Sequence, residues 1–187
     1  VTHRLRAEYR SAIEGNTLTG YAAIFDGFAD LGNEVENIDP HAFDALLAAQ
    51  PDVRCLVNHD PNQLLGRTTA GTLRLSVDLK GLKYECDLPN TRAADDLREL
   101  LKRGDISGSS FGFMPGDQSR GRAPDGRLLR THTNIRTLLD VSPVTYPAYE
   151  GASSCLRSMT FDAIPPERLL RDQLIRARAR VLFPKGN

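Results

Sequence analysis

The sequence predicts an α+β or β-barrel domain, not a doubly wound sheet. Two observations carry this. Roughly seven or eight short segments read as strands, and only two helices interrupt them, whereas a doubly wound sheet alternates strand and helix throughout. The chain has 187 residues, 40% of them hydrophobic and 26% charged, which suits one soluble domain with a core of its own.

The opening elements form a hairpin. Leu5 to Ile13 alternates loosely, Glu14-Gly15-Asn16 supplies a turn, and Thr17 to Phe25 returns rich in Thr, Tyr, Ile and Phe. Asp26 to Asn33 reads as a loop and Glu34 to Ile38 as a short strand. Asp39-Pro40 then offers an N-cap and a first-turn proline, so a helix should follow with Phe43, Leu46 and Leu47 buried. Gln50-Pro51 stops it, since the residue before proline disfavours helix.

Val53 to Val57 is a compact apolar strand that ends abruptly at Asn58-His59-Asp60-Pro61, a proline-containing turn. Thr72–Val77 and Leu82–Leu88 make a second hairpin around the turn at 78–81. Asn90 or Thr91 caps a helix over Arg92–Arg103, with Leu97, Leu100 and Leu101 as its apolar stripe and Gly104 at C′. Pro115 to Gly126 is polar and glycine-rich and reads as a mobile loop. Leu128–Thr133 and Ile135–Val144 complete the strands. The domain is expected over residues 1–160, with a charged, helical tail over 161–187.

Composition excludes several functions. Twenty-four basic and 24 acidic residues cancel, which gives no global reason to expect nucleic-acid or membrane binding. Three scattered cysteines without a CxxC suggest neither a zinc site nor a disulfide framework, and favour a reducing compartment. The first ten residues lack an apolar signal region, and no apolar run approaches a membrane span.

One stretch points to chemistry. Between Gly104 and Met114 stand Ser107, Ser109 and Ser110, followed at once by Phe111-Gly112-Phe113. Aromatic residues at alternate positions anchor one face of a strand, while serine at an accessible edge is a candidate nucleophile once a base is supplied. His59, rigidly placed at a strand end, is the candidate base, because imidazole titrates near neutrality. Its ordinary alternative is a turn histidine bonded to backbone; the serines could likewise merely shape a turn. Asp140, inside Leu138-Leu139-Asp140-Val141, is a candidate to orient the imidazole, since an acid in an apolar run asks for a partner. Glu36 is a second candidate for that place. Either acid could equally lie on the solvent face of its strand. The Arg-rich tail could dock RNA or a protein partner.

Six motifs occur in order: Gly20-Tyr-Ala-Ala-Ile-Phe25; Glu36-Asn-Ile-Asp-Pro-His-Ala-Phe43; Val57-Asn-His-Asp60 with Leu65-Gly-Arg67; Gly81-Leu82; Ile106-Ser-Gly-Ser-Ser-Phe-Gly-Phe113; and Leu139-Asp-Val-Ser-Pro-Val-Thr-Tyr-Pro-Ala148. With these the chain resembles the prohead (capsid maturation) proteases of tailed bacteriophages. The resemblance implies a fold like the herpesvirus assembly protease, a small, mostly antiparallel β-barrel with flanking helices. It implies a serine endopeptidase with Ser110 as nucleophile and Ser109 in reserve, His59 as base, and Asp140 or Glu36 behind it, needing no metal or cofactor. An arginine from the 115–130 loop could assist the oxyanion. The implied partners are the major capsid protein with its scaffolding segment, and the protease itself, through self-association and self-cleavage within the assembling procapsid in the host cytoplasm. Two positions depart from the family: His41 stands where glycine is usual, and Asp140 where glutamate is common. Two rival readings remain: an inactive internal scaffold that keeps the fold, and a nucleic-acid-binding module built on the tail.

Overall fold

A computed structural model describes residues 12–25 and 27–146. The residues expected to form the tail, 161–187, and the start of the first hairpin lie outside them. The described residues are mostly β, with two short helices. In chain order the strands are β1 Ala12–Glu14, β2 Thr17–Ile24, β3 Ala29–Asp30, β4 Glu34–Ile38, β5 Arg54–Val57, β6 Asp60–Arg67, β7 Leu73–Val77, β8 Gly81–Asp87, β9 Gly108–Pro115, β10 Gln118–Arg122, β11 Leu128–His132 and β12 Ile135–Val144. The helices are α1 Asp44–Ala48 and α2 Arg92–Arg103. None of the helices described is long and apolar enough to cross a membrane.

Three four-stranded sheets result, in the orders β1-β2-β8-β7, β10-β11-β4-β3 and β6-β5-β12-β9. Pairing is antiparallel except for β4 with β11 and β5 with β12. These sheets are not closed into the expected barrel. Closure requires edge strands to pair through their backbones. Here the sheets meet instead through side chains around one core, which takes Leu18 and Tyr84 from the first sheet, Ile38 from the second, and Cys55, Phe111, Phe113 and Val141 from the third. Phe111 and Phe113 stack at 4.7 Å between ring centroids, and Phe43 meets Phe111 edge-on at 5.9 Å.

The second hairpin, α2, the last two strands and the return strand of the first hairpin occupy the expected segments; of that hairpin's opening strand, only Ala12–Glu14 is described, and it runs into Glu14, a residue expected in the turn. Gly104 closes α2 in the left-handed conformation, φ 81°, as a C′ glycine should. Leu97 is buried, and Leu100 and Leu101 pack against the core.

Four elements differ from expectation. Inside the segment 26–33, expected as a loop, β3 pairs antiparallel with β4. Asp39 does not cap a helix. Its carboxylate accepts the His41 N–H at 2.8 Å and its carbonyl accepts from Ala42 at 3.0 Å, so Pro40 sits in a turn and α1 starts only at Asp44. The segment 115–126 is not simply a loop: β10 runs through it, antiparallel to β11. All five β10 residues are exposed, so backbone pairing specifies that strand without an apolar alternation. Finally, Asp60-Pro61 is not a turn. The turn is Asn58-His59 alone, Val57 pairs with Asp60, and β6 passes through Pro61. Proline is tolerated there because β6 is an edge strand.

Candidate active site

The site is assembled on the third sheet, where β9 and β12 run side by side. Their register pairs Ser110 with Ser142 and Gly112 with Asp140, while Phe111 pairs with Val141 and Ser109 with Pro143. Paired residues share a face and neighbours alternate. One face therefore carries Phe111, Val141 and Ser109 toward the core. The other carries Ser110, Gly112, Asp140 and Ser142.

Asp140 reaches that face because of an irregularity in β12. Leu138 pairs with Phe113 and Asp140 with Gly112, so Leu139 is an extra residue between them. In a regular strand Leu138 and Asp140 would share a face; the bulge separates them and puts Asp140 on the face that bears Ser110. Gly112 makes the room. A Cβ at that position would lie 2.4 Å from Asp140 Oδ2.

His59 arrives from the hairpin between β5 and β6. Asn58 and His59 have φ of 52° and 58°, left-handed values for both central residues of a two-residue hairpin turn. Asn and His both adopt this region more readily than most residues that carry a Cβ. The turn is fastened to the end of β12 at two points. The Asn58 N–H donates to Pro143 O at 3.0 Å, and the Thr145 N–H donates to Asn58 Oδ1 at 2.8 Å. The result is a 2.6 Å contact between His59 Nδ1 and Asp140 Oδ1. A carboxylate accepts, so Nδ1 is the donor in this bond, and in the neutral imidazole that tautomer makes Nε2 the acceptor nitrogen. The same Oδ1 accepts a hydrogen bond from Ser142 Oγ at 2.6 Å.

The serines separate cleanly. Ser107 precedes β9 and is exposed. Ser109 lies on the core face, its hydroxyl 2.8 Å from the Tyr84 hydroxyl. Tyr84 can lie flat over β2 because its cross-strand partner is Gly20, where a Cβ would come within 2.7 Å of the ring. Ser110 shares its face with Asp140 and, at 4% exposure, is more enclosed than the open edge expected, since β9 is covered on both faces. Among the described residues its hydroxyl makes no hydrogen bond, to His59 or to any other group.

Glu36 is not brought to His59. It is buried on β4 and accepts from Arg130 Nη1 at 3.0 Å, with His132 Nε2 3.5 Å away. Arg130 also pairs with Glu34, and Arg127 is held by Asp30 and Asp125. These two arginines of the 115–130 segment are thus committed elsewhere. Cys55 is fully buried on β5, paired with Val141 of β12, and its thiol is pushed well up, first by its hydrogen bond to Cys86, then by burial, with the Asp140 charge adding to both. It is a neutral core residue, not a rival nucleophile. Among the described residues no cluster of three or more His, Cys, Asp or Glu side chains could hold a metal.

Sequence reasoning did not single out Gly112, Asn58 or Ser142. Ser142 stands two residues after Asp140 on a strand, a spacing that by itself puts both on one face.

The profile of a protein family described as Caudovirus prohead serine protease matches residues 4–165. No curated protein matches the chain. No solved structure matches it either.

Proposed function

This chain belongs to the Caudovirus prohead serine protease family, and from that premise we propose that it cleaves the scaffolding segment of the major capsid protein, and itself, as the procapsid matures. The family is one of serine proteases with a role in capsid maturation. The observation that carries the residue assignment is the 2.6 Å contact of His59 Nδ1 with Asp140, on the sheet face that also bears Ser110.

Ser110 is the nucleophile and His59 the base. His59 Nε2 takes the hydroxyl proton as Ser110 Oγ bonds to the scissile carbonyl carbon, then returns it to the leaving amine. Water repeats the cycle on the acyl-enzyme. Asp140 holds the tautomer and balances the imidazolium. The Ser110–His59 hydrogen bond forms as substrate fills the site; such bonds are often long or absent before substrate binds. Ser109 is disfavoured because its hydroxyl points to the core and meets Tyr84. Asp140 in place of the usual glutamate still reaches His59, whose turn is tied to the end of β12 by two hydrogen bonds. Self-association inside the procapsid would make activity concentration-dependent, with cleavage following assembly.

The test is co-expression with the cognate capsid protein. Ser110→Ala and His59→Ala are expected to abolish trimming of the capsid protein and of the chain, while Ser109→Ala retains it. Asp140→Asn should slow trimming by about 10⁴-fold, because an amide no longer fixes the base tautomer. Unchanged trimming in both Ser110→Ala and His59→Ala would leave the fold as an internal scaffold without catalysis.

A further inference from the structure

We propose that Ser142 is a positioning residue that fixes the Asp140 carboxylate for His59; the role rests on the protease reading above. Ser142 is fully buried on β12. Burying a hydroxyl is unfavourable unless it is bonded, and in a strand valine or alanine would fill such a place without that penalty. The bond it makes is to Asp140 Oδ1 at 2.6 Å, the same oxygen that His59 Nδ1 approaches at 2.6 Å.

A carboxylate held by one partner can rotate about its Cβ–Cγ bond and offer either oxygen. Two donors on Oδ1, His59 Nδ1 and Ser142 Oγ, restrict that freedom. The other oxygen, Oδ2, is confined above Gly112, in the space a Cβ would otherwise occupy. Ser142 also pairs across the sheet with Ser110. The residue that pins the acid therefore stands beside the proposed nucleophile, and its hydroxyl proton is already committed to Asp140. Ser142 touches no reacting atom; it acts through Asp140 on the orientation of the imidazole, and misorientation of that kind is costly in rate.

The experiment compares the full-length parent with Ser142→Ala, Ser142→Thr and Ser142→Val. The probe is a fluorophosphonate, which reports the serine without a known substrate: the Ser110 Oγ–P bond forms as P–F breaks, fluoride leaves, and the hydroxyl proton passes to His59. The limiting labelling rate of Ser142→Ala is expected to fall roughly 10- to 100-fold with the half-saturating concentration unchanged. Thr and Val have the same shape, so Thr should exceed Val by a similar factor if the hydroxyl matters; this pair decides the question should the Ala variant not fold. In parallel, the His59 Nδ1–H proton resonance should be sharp in the parent and the Thr variant and broadened in Ala and Val. Parental labelling with an intact resonance in Ala and Val would overturn the proposal. So would slowed labelling with an intact resonance, which a merely structural role predicts. A parent chain that is never labelled defeats the protease reading by itself, and the resonance still decides the role of Ser142.

Discussion

Gly112 shows how one missing methyl group makes room for an acid. Its Cβ would stand 2.4 Å from Asp140 Oδ2, closer than any real contact, and its backbone is not among those with positive φ. The glycine is needed for space and not for conformation. Gly112→Ala should therefore displace the carboxylate from His59 and abolish labelling of Ser110, yet lose most of its cost to stability when Asp140 is also replaced by Ala. A double-mutant cycle on the denaturation midpoint measures this, with a coupling of about 1–3 kcal/mol expected for groups in direct contact. Purely additive losses would mean that the two do not compete for the same space. The glycine between the phenylalanines was legible in sequence as part of a motif, as were Ser110, His59 and Asp140. Their sidedness was not. Read with strict alternation, Leu138 and Asp140 belong to one face. Only the extra residue at Leu139 puts them on opposite faces, and a bulge leaves no mark in hydrophobic periodicity. The Tyr84 hydroxyl that engages Ser109 lies 25 positions away in the chain and was equally invisible.

At the scale of elements, the β5–β6 hairpin carries the proposed base, and both residues of its two-residue turn are left-handed. Asn58 contributes in two separable ways. It tolerates a φ of 52°, and its side chain accepts the Thr145 N–H. Asn58→Gly keeps the first contribution and removes the second, so it should cost about 1 kcal/mol, the net worth of one hydrogen bond. Asn58→Ala removes both and should cost about 2 kcal/mol or more, since a Cβ is disfavoured in the left-handed region. The expected order of unfolding midpoints is Asn, Gly, Ala, and an equal loss for Gly and Ala would show that the backbone conformation carries no strain. Elements with strong local signals were legible. The α2 helix, with its leucine stripe and terminal glycine, occupies its expected residues, as do the second hairpin and β12. The failures share a physical cause. β10 is a strand of four exposed polar residues and a glycine, β6 contains proline, and β3 is two residues long. In each, pairing with a neighbouring strand outweighs local propensity. The Asp39-Pro40 pair misled for a related reason, because an aspartate that caps helices also closes turns.

In the molecule as a whole, three sheets share one apolar core, and their rims are tied by exposed ion pairs that respond to acid. Asp52 joins the segment before β5 to Arg67 at the end of β6, with both carboxylate oxygens 2.7 Å from the guanidinium. Asp87 joins β8 to Arg74 on β7 and also accepts from Thr17 on β2. The Arg67 hydrogen bonds chiefly lower the Asp52 pKa from 3.8 to about 2, and those from Arg74, with a smaller part from Thr17, do the same for Asp87. A depressed folded value means that the unfolded chain binds protons more readily. The stabilisation is then complete above the ordinary value of 3.8 and disappears as pH falls toward about 2. Both carboxylates face solvent, so the effect is modest and sensitive to salt. The thermal midpoint should fall over this interval in the parent and fall less steeply in the Asp52→Asn/Asp87→Asn variant. At neutral pH the variant should be the less stable of the two, and the curves should converge in acid. Salt at about 1 M, where screening acts within about 3 Å, should bring the neutral values together as well. Parallel curves for parent and variant would assign the acid sensitivity to other carboxylates, of which Asp30 and Asp78, both lowered by hydrogen bonds from Arg127 and Tyr21 respectively, are the next to replace.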